Sequence, residues 1–290
     1  MKNLDLSTLP AKKRKQIVSC LRAGIQLLYF LFLPSVFTAA FNEVKYIFTQ
    51  LGQGEKIEMT AFVSALLLVC AFTIVFGRFF CGFACAFGSL GDAMHAIYGI
   101  ICKKRKKKPR CIKPELAKKL VLIKYGILLL IALCCFAGVY QKARGTSPWD
   151  VFSMLHAGNF RLSSYIPGIV LLVLILVGMF FEERFFCRFL CPMGAVFSLL
   201  PILPFFTLHR KRENCIRGCS ACTRQCPSAV ELPSDGSVEI SGDCFQCQKC
   251  IDTCPKGNIR CGVKELHGNE ILFTLFRAVF LLTLLLWAGI

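Results

Sequence analysis

Five apolar segments constrain this chain more than any motif in it. A helix needs about 20 mostly apolar residues to cross a bilayer. Residues 18–41, 60–80, 120–140, 165–181 and 271–290 reach or approach that length. The fifth is interrupted by Arg277 and spans only if that side chain snorkels toward an interface. The 55% hydrophobic content sits in these blocks rather than in the alternation of a water-soluble fold. The expected fold is an all-α polytopic membrane protein with four to five transmembrane helices.

A net charge of +18 would suggest nucleic acid in a soluble protein. In a membrane chain it reads as positive-inside loops, so no nucleic-acid partner is expected. Residues 1–17 and the stretch KKRKKKPRCIKPELAKK at 103–119 are strongly basic, as is the region after residue 182. The remaining loops carry only Lys45 and Lys56, then Lys142, Arg144 and Arg161. The N-terminus, the 103–119 loop and residues 182–269 therefore belong on the cytosolic side of a bacterial inner membrane. No small-residue cleavage site follows the basic arm cleanly, so the first apolar run reads as an uncleaved helix. The 103–119 loop serves topology first, and it also offers a landing patch for an acidic cytosolic ferredoxin or flavodoxin.

Nineteen cysteines in a chain of this length and hydropathy point to metal or redox chemistry rather than a secreted disulfide scaffold. The densest runs are CIRGCSACTRQCP and CFQCQKCIDTCP. The second, Cys244-x2-Cys247-x2-Cys250-x3-Cys254-Pro255, has bacterial [4Fe–4S] spacing, and the first adds one residue in its opening gap. The fourth cysteine of each run, before proline, serves the other cluster in such domains. Cys215, Cys219, Cys222 and Cys254 are thus assigned to one cluster, and Cys244, Cys247, Cys250 and Cys226 to the other. Four-cysteine zinc knuckles are the competing reading, and the cytosolic side disfavours disulfides. Between the runs, Asp235-Gly236 reads as a hairpin turn. Over about sixty residues this region resembles the α+β two-cluster ferredoxins.

RFFCGFACAFG at 78–88 and RFFCRFLCPMG at 184–194 share seven of eleven positions at a constant offset of 106 residues. Cysteines four apart share a helix face but lie too far apart for a disulfide on an intact helix. The spacing suits two ligands of one centre or two redox thiols. Pro192 suggests that Cys191 starts a helix, whose dipole, with Arg78 and Arg184, would favour thiolate. If residues 18–101 and 120–208 are two similar halves, Cys81, Cys85, Cys187 and Cys191 converge on a pseudo-twofold axis. Packing cysteines are the bland alternative, and that reading is given to Cys20, Cys70, Cys102, Cys111, Cys134, Cys135 and Cys261.

Four apolar spans, paired C-x3-C(P) motifs and two [4Fe–4S] runs together resemble one family of membrane iron–sulfur proteins. Its members include the quinol-dehydrogenase membrane subunit of periplasmic nitrate reduction, the electron donor of nitrous oxide reduction and a cupric reductase of cytochrome oxidase assembly. The resemblance places Cys81, Cys85, Cys187, Cys191 and Pro192 on the family's membrane motif and the eight ferredoxin cysteines on its cluster ligands. Ala86 stands where the family usually has proline. The resulting organisation is a basic arm (1–17), a first membrane half (18–101), a basic loop (102–119), a second half (120–208), an inserted ferredoxin domain (209–265) and a fifth helix (270–290).

The expected function is electron transfer between the quinone pool, or a cytosolic carrier, and an extracytoplasmic flavoprotein, cytochrome or reductase. The cofactors would be two [4Fe–4S] clusters, with a further iron or Fe–S centre at the four membrane cysteines and a quinone as additions the pattern allows. No residue need act as general acid or nucleophile. A cupric-type metal reductase or a membrane redox sensor are the readings from other classes. His95 is a candidate for lining a quinone site, although a lone histidine is more often a hydrogen-bonded surface residue. Trp149 reads as an interfacial anchor, with Pro148 and Asp150 in a turn.

Overall fold

The computed structural model describes residues 11–34, 36–107, 109, 112, 114–140, 145–160, 165–203, 205–261 and 270–289. Cys111, Lys142, Arg144, Arg161 and the end of the ferredoxin domain after Cys261 lie outside them. The chain is mostly helical. Its first half comprises α1 (Ala11–Phe32), α2 (Val36–Gln53), α3 (Ala61–Phe76) and α4 (Ala86–Lys104). The second comprises α5 (Pro114–Leu120), α6 (Ile123–Phe136), α7 (Pro148–His156), α8 (Ile166–Phe181) and α9 (Pro192–Leu199). Then come β1 (Leu208–Lys211), α10 (Ala221–Gln225), β2 (Asp235–Val238), α11 (Lys249–Thr253), β3 (Ile259–Cys261) and α12 (Glu270–Trp287).

The apolar segments fold as helices, but not as five long spans. Among the described residues, only Glu115–Phe136 is by itself long and apolar enough to cross a membrane. The first segment breaks at Pro34, whose ring removes a donor and disfavours helix just before it. Its two parts bend by 62° and pass the same test only as a pair. Helices α3 and α8 are apolar but 16 residues long, about 24 Å at 1.5 Å per residue, short of a 30 Å hydrocarbon core. Both stop where the chain turns into the RFFC motif. At Gly77 the backbone takes a positive φ of 69°, and at Arg184 one of 58°.

The two halves are built alike across the repeat. Helix α3 leads into a π-helical turn, Phe80–Ala84, and then α4; helix α8 leads into a π turn, Phe186–Leu190, and then α9. Helix α4 packs on α8, α2 on α6 and α6 on α9. Aromatic rings join the halves: Phe87 lies 5.1 Å from Phe186, and Phe41 4.8 Å from Trp149. Trp149 is therefore a buried core residue, not an interfacial anchor, and Ser147 caps a helix where a turn was expected.

Beside this bundle sits a three-stranded sheet in the order β2-β1-β3, both pairs antiparallel. Its strands come from before, between and after the two cysteine runs, so the sheet ties both runs together. Asp235-Gly236 does not make the expected hairpin turn. Asp235 opens β2 and pairs with Lys211, across the first cysteine run. One apolar core continues from α2 through both π turns into Cys244, Phe245, Ile259 and the α12 residues Leu281 and Leu285.

Candidate functional site

The cysteine runs fold around two cavities. One is lined by Cys215, Cys219, Cys222 and Cys254; the other by Cys226, Cys244, Cys247 and Cys250. The crossing arises because Cys226 and Cys254 each end a short helix, α10 or α11, at an extended residue before proline. Donors face the first set of sulfurs. Asn258 gives its backbone N–H to Cys254 at 3.3 Å and its side-chain amide to Cys215 at 3.4 Å, and Arg210 reaches Cys222 at 3.4 Å.

Cys81, Cys85, Cys187 and Cys191 are all buried in the same core cluster. They do not sit on intact α-helix. Each motif is a π turn, closed by Cys85 N–H to Phe80 C=O and by Cys191 N–H to Phe186 C=O, both at 2.9 Å. Inserted π turns of this sort are frequent at functional sites. Each second cysteine is the N-cap of the following helix, so α4 starts at Cys85 despite Ala86. The Cys191 sulfur accepts the Gly194 N–H at 3.1 Å. Burial works against the expected thiolate stabilisation: it raises the Cys85 and Cys191 thiols and pushes Cys187 to about 11, while Arg184 pulls Cys85 and Cys187 down and Arg78 also pulls Cys187. Among the described residues, no three His, Cys, Asp or Glu side chains converge as a single-ion site.

The motif arginines act across the pseudo-twofold as well as on their own turn, where Arg78 Nη2 lies 4.0 Å from Cys81 Sγ. Arg184 donates to both Asp92 oxygens, at 2.8 and 2.6 Å, to Gly82 C=O at 2.9 Å and to Cys81 C=O. Arg78 donates to Ser198 Oγ and Gly242 C=O, each at 3.2 Å. Asp92 and Ser198 stand at equivalent positions of the repeat, four residues after Gly88 and Gly194. Each glycine is the space the opposite arginine occupies. A Cβ on Gly88 would lie 2.5 Å from Arg184 Nη1, and one on Gly194 would lie 2.9 Å from Arg78 Nη2.

The second half has serine where the first has Asp92, so its carboxylate comes from elsewhere. Asp243, the residue before Cys244, lies 3.6 Å from Arg78 Nη1. It accepts from the buried Lys124 Nζ at 2.5 Å. Burial alone would raise the Asp243 carboxyl, but the Lys124 hydrogen bond and charge, then Arg78, hold it below the usual range. Arg184 and then Lys249 do the same for buried Asp92. Phe245 completes the latch, its ring 4.7 Å from Arg78 Cζ and 5.6 Å from Arg184 Cζ. Gly82 leaves room for the Phe245 carbonyl, and Arg22 donates to the Cys247 carbonyl. The loop from Asp243 to Cys247 is thereby held against both repeated motifs.

A separate cleft of about 510 Å³ lies between α1 and α4. Arg22, Gln26, Asp92 and Lys249 line its polar end, and Leu27, Phe30 and Leu90 its apolar walls. His95 is half-buried near Tyr98 and does not line it. Of the cysteines read as packing residues, Cys102, Cys135 and Cys261 are buried, Cys70 and Cys134 half-buried, and Cys20 exposed on α1. Sequence reasoning missed Arg22, Asp92, Lys124, Asp243 and Phe245. Only Asp243 and Phe245 carried a signal, through adjacency to Cys244.

Comparison with known proteins gives the family to which the chain belongs. The chain matches the 4Fe-4S binding domain family over residues 59–109 and 166–207, the segments that contain Cys81, Cys85, Cys187 and Cys191. An uncharacterised protein of Methanocaldococcus jannaschii is 30% identical over 206 residues, 70% of this chain and 71% of that one. The putative electron transport protein YccM of Escherichia coli is 26% identical, covering 77% and 62%. The ferredoxin-type protein NapH of Haemophilus influenzae is 24% identical, covering 72% and 70%. No solved structure matches. The chain belongs to the ferredoxin-type 4Fe–4S electron-transfer family. That membership decides for iron–sulfur chemistry over the zinc alternative.

Proposed function

We propose that this protein carries electrons in a bacterial inner membrane, between the quinone pool or a cytosolic carrier and an extracytoplasmic redox partner. The observation that carries the reading is the latch in which Asp243 pairs with Arg78 and Phe245 lies against both Arg78 and Arg184, which holds the Cys244–Cys247 loop against both repeated motifs. Both four-cysteine cavities fit a cubane: their donors are all thiols, and the first set already receives hydrogen bonds on sulfur. Cys215, Cys219, Cys222 and Cys254 would hold one [4Fe–4S] cluster, and Cys226, Cys244, Cys247 and Cys250 the other. Such clusters supply one-electron storage at a potential set by their surroundings.

The residues around them do the positioning. Phe245 and the arginines exclude water between the motif thiols and the second cavity. The cleft between α1 and α4 fits a quinone, with Arg22, Gln26 and Lys249 able to hydrogen-bond its carbonyl oxygens and Leu27 and Phe30 flanking an apolar tail. Lys249 lines both this cleft and the second cavity, which brings the two sites together. The basic stretch 103–119 is the proposed landing site for an acidic cytosolic carrier. The family match over both C-x3-C motifs supports a further iron–sulfur centre at Cys81, Cys85, Cys187 and Cys191.

The test is iron and acid-labile sulfide per anaerobically purified chain, with EPR of the reduced protein, in wild type and Cys81→Ser/Cys187→Ser. About eight irons in the double variant are expected from two cubanes. More than eight in wild type supports the further centre, and eight in both removes it. Fewer than about eight in wild type, with one EPR species, overturns the two-cluster assignment.

A further inference from the structure

Arg277 is a buried cation with no carboxylate counter-charge among the described residues. It is fully buried on α12, with no carbonyl partner for its guanidinium among them either and only the Cys261 thiol within reach of a hydrogen bond. Its faces are covered by Phe79 at 4.5 Å and Phe273 at 4.4 Å. The acidic groups that face it are the thiols of Cys261 and Cys244. A buried charge without an anion is strongly unfavourable, and aromatic faces offset only part of the cost. The geometry holds Arg277 in place all the same. One turn earlier on α12, Thr274 exchanges hydrogen bonds with Gln248, which lies between Cys247 and Cys250. The helix is thereby pinned to the loop that carries three of the four thiols of the second cavity.

We propose that Arg277 is a positioning residue for electron transfer, supplying the counter-charge to the cluster held by Cys226, Cys244, Cys247 and Cys250. This rests on the two-cluster reading above and goes beyond it. A [4Fe–4S] core with four thiolates has a net charge of −2 oxidised and −3 after taking up one electron. A fixed cation stabilises the more negative state, so Arg277 raises that cluster's reduction potential relative to the cluster at Cys215. It also explains why an apolar helix carries an arginine, as the charge is matched inside the protein rather than by snorkelling to an interface.

The experiment is an EPR-monitored redox titration of the anaerobically purified, cluster-loaded protein, comparing wild type with Arg277→Gln, Arg277→Met and Arg277→Lys. A unit charge within about 10 Å at an effective dielectric near 20 changes an equilibrium by roughly tenfold. Removing the charge should lower the reduction equilibrium of one cluster by about that factor, about 59 mV for a one-electron couple. The other cluster should stay within experimental error, and Arg277→Lys should keep most of the wild-type value. An unchanged potential in Arg277→Gln or Arg277→Met overturns the proposal, as does an equal shift of both clusters. Should neither of these variants accumulate, Arg277→Lys decides: a potential near wild type supports the charge, and a full tenfold drop refutes it. Iron content separates the two readings, because a wild type with fewer than eight irons fails the cluster assignment before any titration.

Discussion

Replacing the two equivalent glycines of the repeat by alanine should have unequal consequences. At Gly88 the new Cβ would lie 2.5 Å from Arg184 Nη1 and 2.7 Å from the Cys81 carbonyl oxygen. The carbonyl belongs to the π turn and has no rotamer to escape into. Overpacking of this kind costs about 1–3 kcal/mol, and displacing Arg184 from buried Asp92 adds to it. At Gly194 the nearest atoms are Arg78 Nη2 at 2.9 Å, Cys187 O at 3.0 Å and Cys191 Cβ at 3.2 Å, which shifts of a few tenths of an ångström relieve. Both alanines recover about 1 kcal/mol of helix propensity. Gly194→Ala should therefore fall within about 1 kcal/mol of wild type, and Gly88→Ala about 2–3 kcal/mol below it. Thermal unfolding in detergent, followed by far-UV circular dichroism, reads the gap at roughly 2–4 °C per kcal/mol for chains of about this size. Equal losses, or a greater loss for Gly194→Ala, would refute the exchange of arginines between the halves.

Two further outcomes follow from the charges. Lys124→Met leaves Asp243 half-exposed and still beside Arg78, whereas Asp243→Asn leaves two buried cations facing each other; the second should lose about 3–5 kcal/mol and the first less than half of that, in the same unfolding assay. Asp92 is held below the usual carboxylate range, so its contribution is complete above about pH 4 and disappears as pH falls through its lower folded value. Circular dichroism from pH 7 to 2.5 should show wild type losing its advantage over Asp92→Asn only at the acid end. A constant gap across that range would remove the Asp92–Arg184 pair as its source.

The parts of this protein that depend on local spacing were legible in the sequence. Apolar blocks gave the helices because a run of apolar side chains is read along one element. Cysteine spacing grouped the eight ferredoxin residues as the cavities group them, because a short loop with C-x2-C geometry closes on itself. The repeat announced two similar halves. Span lengths were overestimated because hydropathy does not register where Pro34, Gly77 or Arg184 ends a helix. The arginines of the RFFC motifs were assigned to their own cysteines, one turn away, and Arg78 does reach Cys81, but their second set of partners across the repeat had no signal in sequence distance.

Tertiary structure decided the rest. Arg184 reaches Asp92 and Arg78 reaches Ser198 only because α4 packs on α8 and α6 on α9, across about a hundred residues of chain. Asp243 supplies the carboxylate that Ser198 lacks, and Phe245 fills the space between the arginines, through contacts that no periodicity encodes. Arg277 looked like a flaw in a membrane span, and the fold buries it between the rings of Phe79 and Phe273. The sequence fixes which charges the chain carries, but their energies depend on what they are buried beside, and that is set only when the two halves and the ferredoxin loop come together.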